Sequence, residues 1–189
     1  MPDNVRHNDY TNLTNVTLNN ITYVGARVFQ DCRKLINIDL SKVEYIWSYG
    51  FANTFLLTTV NLSNLKNTTG GPFSRSGVTQ FITGNNPTYS TIENGKALVR
   101  GGNKLIAYPS APNSITLPSI TELDFACITG NTVRTVILPN LKTIGNSAFY
   151  GTYNLTTLEV PNVMHIDHGG FRDCNYFTSI KLGKVAPTL

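Results

Sequence analysis

The sequence predicts a β-rich α/β fold of one kind, a solenoid of stacked coils about 22 residues long wound as a right-handed superhelix. Three observations carry that expectation. Apolar residues return at the same six offsets along the chain, apolar and polar residues alternate within each coil, and charged residues make up only 14% of the 189 positions, with Asn and Thr standing in their place. The low charge excludes a coiled coil or long-helix protein, which needs Glu, Lys and Ala. The 41% hydrophobic and 10% aromatic content excludes disorder and suits one domain with a real core.

The first coil sets the template with Leu13, Val16, Leu18, Ile21, Val24 and Phe29. Leu35, Ile38, Leu40, Val43, Ile46 and Phe51 repeat it, then Leu57, Val60, Leu62, Leu65, Thr68 and Phe73. It returns as Pro112, Ile115, Leu117, Ile120, Leu123 and Ile128, as Val133 to Phe149, and as Leu155 to Phe171, with a partial copy at Phe177, Ile180, Leu182 and Val185. Of these thirty-six slots in six coils, thirty-four are apolar where composition alone would supply about 15, so the repeat is a property of the fold and not of composition.

The alternation of Val16 and Leu18 with Asn15 and Thr17 is strand periodicity. One coil cannot bury its stripe alone. Stacking at about 4.8 Å per coil gives a continuous core, and parallel strands are satisfied by the neighbouring coil. Ile21 to Val24 follows a turn, and the Phe slot closes the coil through a short helical turn. The residue before that slot is Val28, Gly50, Pro72, Cys127, Ala148 or Gly170, mostly small, as a crowded corner requires. Three residues after it stand Cys32, Thr54, Ser76, Asn131, Thr152 and Cys174, a column suited to hydrogen-bonding the turn backbone. The Phe slots themselves are expected to form one buried column.

The repeat breaks after Val78, since Pro112 lies 34 residues on, about twelve more than one coil. The segment YSTIENGKALVRGGNKLIAYP holds three apolar runs separated by Glu93–Lys96 and Gly101–Lys104, both of hairpin-turn composition. It is expected as a β-meander bulging from the solenoid. The organisation is then one domain over 1–189, with repeats at about 13–83 and 112–189 and an insertion at about 84–111.

The segment VRTVILPNLKTIGNSAFYGT at Val133–Thr152 is the fullest copy of the repeat. It resembles the BspA-like leucine-rich repeat family in its Gly-x-x-Ala-Phe variant, with Ile21, Val43, Leu141 and Val163 where the ordinary leucine-rich repeat places Asn. Gly95, Leu98, Leu105, Ile106, Tyr108 and Pro109 are similar to insertions carried by that family. The resemblance implies a cell-surface or secreted adhesion or protein-binding module, with a host matrix or other cell-surface protein as partner. Its alternative is a structural spacer within a longer surface protein, without a ligand of its own.

No motif in the sequence requires chemistry. His168–Phe171 looks like an esterase oxyanion loop, and Gly70–Gly77 is Gly-rich like a phosphate cradle, yet Gly170, Phe171 and Phe73 occupy template slots. His165, Asp167 and His168 are a possible metal cluster by type, with solvated turn residues as the expected reading. The three cysteines do not make a disulfide framework: Cys32 and Cys174 sit about six coils apart and Cys127 fills a small slot. Sequons at Asn12, Asn15, Asn20, Asn61, Asn67 and Asn154 are expected by chance in so Asn- and Thr-rich a chain. No enzyme, cofactor or metal is therefore expected. The net charge of +4 is scattered, which argues against nucleic acid as partner. No apolar run reaches the roughly 18 residues of a membrane span, and the polar start has no signal-peptide core, so a leader is expected to have been removed or the chain to be intracellular. The end, GKVAPTL, lacks a polar cap, so a continuation or end-to-end pairing is expected.

The best binding patch visible in the sequence is Tyr23, Tyr45 and Trp47. Tyr23 and Tyr45 share one template slot, outward between the slots of Ile21/Val24 and Val43/Ile46, where later coils place Asn67, Glu122, Thr143 and His165. Trp47 replaces a turn glycine and is expected to be exposed. Tyr and Trp bury large area at low entropic cost, which suits them to interfaces; an aromatic ladder that only stabilises the sheet is the plainer expectation.

Overall fold

In the computed structural model, residues 10–129 and 132–183 are described. Each regular coil carries two short strands. They are β1 (Asn15–Val16) and β2 (Tyr23–Val24), β3 (Asn37–Ile38) and β4 (Tyr45–Ile46), then β5 (Thr59–Asn61) and β6 (Asn67–Thr68). β7 (Gln80–Ile82) opens the fourth coil, and β8 (Tyr89–Ile92), β9 (Ala97–Arg100) and β10 (Lys104–Ala107) form the insertion. The stack resumes with β11 (Ser114–Thr116) and β12 (Glu122–Leu123), β13 (Thr135–Ile137) and β14 (Thr143–Ile144), β15 (Thr157–Val160) and β16 (His165–Ile166), and β17 (Ser179–Leu182).

Coil-to-coil pairing is parallel and keeps the register of the template. Asn15 faces Asn37, Val136 lies between Ile115 and Leu158, and Ile180 follows Leu158. On the second sheet Tyr23 pairs with Tyr45 and Tyr45 with Asn67, while Glu122, Thr143 and His165 continue the same slot beyond the insertion. The first sheet is not continuous: β1 pairs with β3 and β5 with β7, but β3 does not pair with β5.

The third side of each coil is not helical, and no described residue lies in a helix, so the helical part of the α/β expectation is replaced by a ladder of turns. The cause is backbone conformation. Arg27, Tyr49, Gly71, Ala126, Ser147 and Gly169, each two before the Phe slot, have positive φ, as do Asp31, Asn53, Arg75, Gly151 and Asp173, each two after it. A helix needs consecutive right-handed residues, and left-handed ones cost roughly 1–2 kcal/mol each outside glycine. The coils offset that cost by hydrogen bonding to one another. Arg27, Phe29 and Asp31 donate their N–H groups to Ser48, Gly50 and Ala52 at 2.9 Å each, and Tyr49, Phe51 and Asn53 donate to Gly70, Pro72 and Ser74.

The core follows the template closely. Leu35, Leu40, Val43, Ile46, Leu57, Leu62, Val133, Leu138, Leu141 and Leu155 are fully buried. The Phe slots form two stacks instead of one column. Phe29, Phe51 and Phe73 stack at 5.2 and 5.5 Å, and Phe149 and Phe171 at 6.0 Å. Ile128 holds the intervening slot, Phe81 closes Phe73 edge-on, and Phe171 is only half-buried. The corner before the slot is as tight as expected: a Cβ on Gly170 would lie 2.9 Å from Ile166 Cγ2 and 3.1 Å from Ile144 Cγ2. The polar column behaves as expected at Thr54, whose Oγ1 donates to the Phe51 carbonyl at 2.8 Å, and at Thr152, which donates to Phe149. Asn131 and Val185 lie outside the described residues. Three template slots differ. Ile21 is 39% and Ile180 42% exposed, because no described coil covers the outer face of the first coil or of the last described strand, and Pro112 is exposed while the preceding Ala111 fills the slot.

The insertion is a meander but does not bulge outward. β8, β9 and β10 are antiparallel, with Glu93, Asn94 and Gly95 and then Gly101 and Gly102 at positive φ in the turns, and β10 pairs in parallel with β12. The meander thus extends the second sheet and is covered on both faces. Leu98, Ile106 and Ala107 join the core of the early coils, while Ala97, Val99, Leu105 and Tyr108 join the core of the later ones. Its first turn docks on β7, where Phe81 donates its N–H to Gly95 at 2.7 Å. The phenol oxygen of Tyr89 accepts from the Thr68 amide at 3.2 Å, covering the otherwise open edge of β6.

Candidate functional site

Strand pleating decides which side chains the second sheet offers outward. In β2, β4 and β6 the residues Val24, Ile46 and Thr68 turn inward and are buried, so Tyr23, Tyr45 and Asn67 turn outward. Tyr23 is 52% exposed and Tyr45 half-buried. The two are register partners, but the ring contact made by Tyr23 is with Trp47, at 6.3 Å between centroids and tilted by 50°. Trp47 is half-buried and not the exposed turn residue expected. Its amide donates to Val24 within the coil ladder at 3.0 Å, which draws it towards the first coil and under Tyr23, and its Nε1 is buried without a hydrogen-bond partner among the described residues.

A second constellation lies on the turn side and was not legible in the sequence. The guanidinium of Arg27 lies over the Tyr49 ring at 5.7 Å, that of Arg75 over Tyr153 at 5.5 Å, and that of Arg172 over Tyr150 at 5.7 Å. Tyr49 also meets Phe125 edge-on at 5.6 Å. Small residues permit this leaning across coils: Gly71 lies against Phe125, and the Arg75 stem would touch a Cβ on Gly151 at 3.4 Å. A groove of about 240 Å³ opens between these groups, lined by Arg27, Gln30, Tyr49, Asn53, Arg75 and Tyr150 among others. Burial raises the Tyr49 phenol above its ordinary range and the nearby Tyr150 adds to this, while Arg27 and Arg172 oppose it. Arg27 and Tyr49, like Tyr150 and Arg172, are one 22-residue coil apart, whereas Arg75 and Tyr153 are 78 and Tyr49 and Phe125 are 76 residues apart, so no single spacing announces the set.

His165 Nε2 and Asp167 Oδ1 are 2.6 Å apart and exposed, and no cluster of three metal-ligating side chains occurs among the described residues. Gly170 is buried at the coil corner and Phe171 lies in the Phe149 stack, while Pro72, Phe73 and Ser74 of the Gly-rich segment are buried in theirs. All three cysteines are free thiols. Burial, with a smaller contribution from Asp31, pushes Cys32 up to about 11; burial also raises Cys127 and Cys174. Each shift is opposite in direction to the lowering that activates a cysteine nucleophile. No described helix is long and apolar enough to cross a membrane.

Stacked two-stranded coils with a closing Phe slot define a leucine-rich-repeat solenoid, without a helix among the described residues. The model of the BspA type leucine rich repeat region matches residues 7–95 and 106–187 in six copies, and the chain belongs to that family. No curated protein matches by sequence. Among solved structures, the crystal structure of the pneumococcal vaccine antigen PcpA is similar, with a TM-score of 0.57 and 19% identity over 90% of this chain and 55% of that one. The chain thus spans about half of the PcpA structure. A leucine-rich cell surface protein from Faecalibacterium prausnitzii matches over 93% of this chain and 74% of that one at 14% identity, with a TM-score of 0.32.

Proposed function

We propose that the chain is a non-enzymatic protein-binding module displayed at a cell surface, acting as a single domain over 1–189. The observation that carries this reading is the outward aromatic patch of exposed Tyr23 and half-buried Tyr45, with Trp47 beneath Tyr23. It stands at the outward slot where the later coils place Glu122, Thr143 and His165. An outward aromatic pair on a rigid ladder is an interface anchor, because its area is presented at low entropic cost. Membership in a repeat family met in surface proteins, and a fold shared with a pneumococcal vaccine antigen, support the setting. The partner expected is a matrix protein or another cell-surface protein.

The test is a pull-down of matrix and cell-surface proteins on the immobilised chain, repeated with Tyr23→Ser, Tyr45→Ser and Trp47→Ser combined. Loss of the retained partner with an unchanged circular dichroism spectrum supports the patch. Unchanged retention removes the patch as a site and leaves it a sheet-stabilising ladder. Failure of the wild-type chain to retain any protein favours a spacer role.

A further inference from the structure

We propose that the groove on the turn side, between Arg27 and Arg75, is a second binding site that takes an acidic, extended peptide segment of a partner protein. It lies on a different side of the coil from Tyr23 and Trp47. It shares with the preceding proposal only the premise that the partner is a protein.

The ion pairs of this side are Arg33 with Asp31 at 3.7 Å and Arg172 with Asp173 at 4.0 Å, and Asp31 also accepts a hydrogen bond from Asn53 at 3.0 Å. Among the described residues neither Arg27 nor Arg75 has a carboxylate partner; each lies over a tyrosine ring instead. Stacking on a ring fixes a guanidinium without neutralising it and leaves its N–H edges free for bidentate pairing with a carboxylate. Two such groups beside one groove attract an anion.

Geometry selects a peptide. Arg27 belongs to the first coil and Arg75 to the third, about 10 Å apart along the stack at the usual strand spacing. An extended chain places side chains i and i+2 about 7 Å apart on one face and i and i+4 about 14 Å apart, so acidic residues two or four apart bracket the separation of the two arginines. Gln30 lines the same groove, and its Oε1 is buried without a hydrogen-bond partner among the described residues. That acceptor needs a donor, and a peptide brings backbone N–H groups together with its carboxylates. Stacking of a sugar ring is less suited here: Arg27 and Phe125 occupy Tyr49, and Arg172 occupies Tyr150.

The experiment is fluorescence anisotropy of the purified chain with a short labelled peptide alternating Glu and Ser, at low and at physiological salt. The same peptide with Gln for Glu is the neutral probe, and heparin is the anionic polysaccharide probe. The Glu peptide is expected to bind, more weakly at higher salt, and Arg27→Gln with Arg75→Gln to weaken it by about tenfold or more, the size of losing a charge-assisted hydrogen bond. Removing two exposed charges elsewhere, Lys42→Gln with Lys181→Gln, is expected to change binding by less than about twofold. Tyr23→Ser with Tyr45→Ser should leave it unchanged, which separates this site from the aromatic patch. If the double arginine variant melts early, Arg27→Gln alone, at an exposed side chain, reads the loss. The proposal is overturned if the Glu peptide does not bind, if the Gln peptide binds equally, if the lysine pair weakens binding as much as the arginine pair, or if heparin binds and the peptide does not.

Discussion

At the scale of single residues, the Phe slot is the most informative position. Phe149 is fully buried and stacked on Phe171, so Phe149→Ala removes both its transfer free energy and the ring contact. The expected loss is about 3–5 kcal/mol in a denaturant titration; a loss below about 1 kcal/mol, as at a surface site, would sink the register. The cysteines give a prediction with a sign. Cys32 has an ordinary value of 9.0 and is pushed up to about 11 in the fold, so the folded state holds its proton more tightly. Its contribution to stability is whole below pH 9 and falls away as pH rises towards 11. Tyr108, pushed up to about 12 by burial and then by Glu93, acts in the same direction at higher pH. The melting temperature should drop as pH rises from about 9 towards 11, and less steeply in Cys32→Ala. A drop of equal steepness in both proteins would contradict the assignment to Cys32. Thiol titration should find three free groups in denaturant, with Cys32 and Cys127 slow to react in the native protein.

Elements show where sequence reasoning reached and where it stopped. The two strands of each coil were legible because buried and outward slots repeat with the coil, and the pairing of Tyr23 with Tyr45 and Asn67 follows by counting. The turn ladder was not legible. Arg27, Tyr49, Ala126 and Ser147 are not residues that mark positive φ, and they adopt it because the neighbouring coil supplies the hydrogen bonds. The insertion lies within the second sheet and not outside the solenoid, and its composition carries the reason. Ala97-Leu98-Val99 and Leu105-Ile106-Ala107-Tyr108 are continuous apolar runs, which is how strands covered on both faces read, whereas a strand bulging into solvent would alternate. Leu98→Ala should therefore cost about 2–5 kcal/mol, like other buried Leu truncations. A cost under about 1 kcal/mol by the same titration would return the meander to the surface. The tyrosine patch was legible in its register but not in its ring contacts. The arginine–tyrosine groove was not legible at all, because Arg75 and Tyr153 meet across three coils.

At the scale of the whole molecule, the two blocks of coils are joined through the meander. A simple stack behaves as a one-dimensional array in which each coil contacts its neighbours only. Here the meander lends one face to each block, β10 carries the second sheet on into β12, and the amide of Arg75 donates to Thr129 Oγ1 at 2.8 Å across the junction. These links couple coils before and after the insertion. Trp47 is the only tryptophan and lies in the early block, so its fluorescence reports that block, while far-ultraviolet circular dichroism reports every coil. The most direct test is a urea titration of the intact chain followed by both signals. The account predicts one transition with coincident midpoints and slopes. A tryptophan transition separated from the dichroism transition would show two independent blocks and contradict the continuous stack.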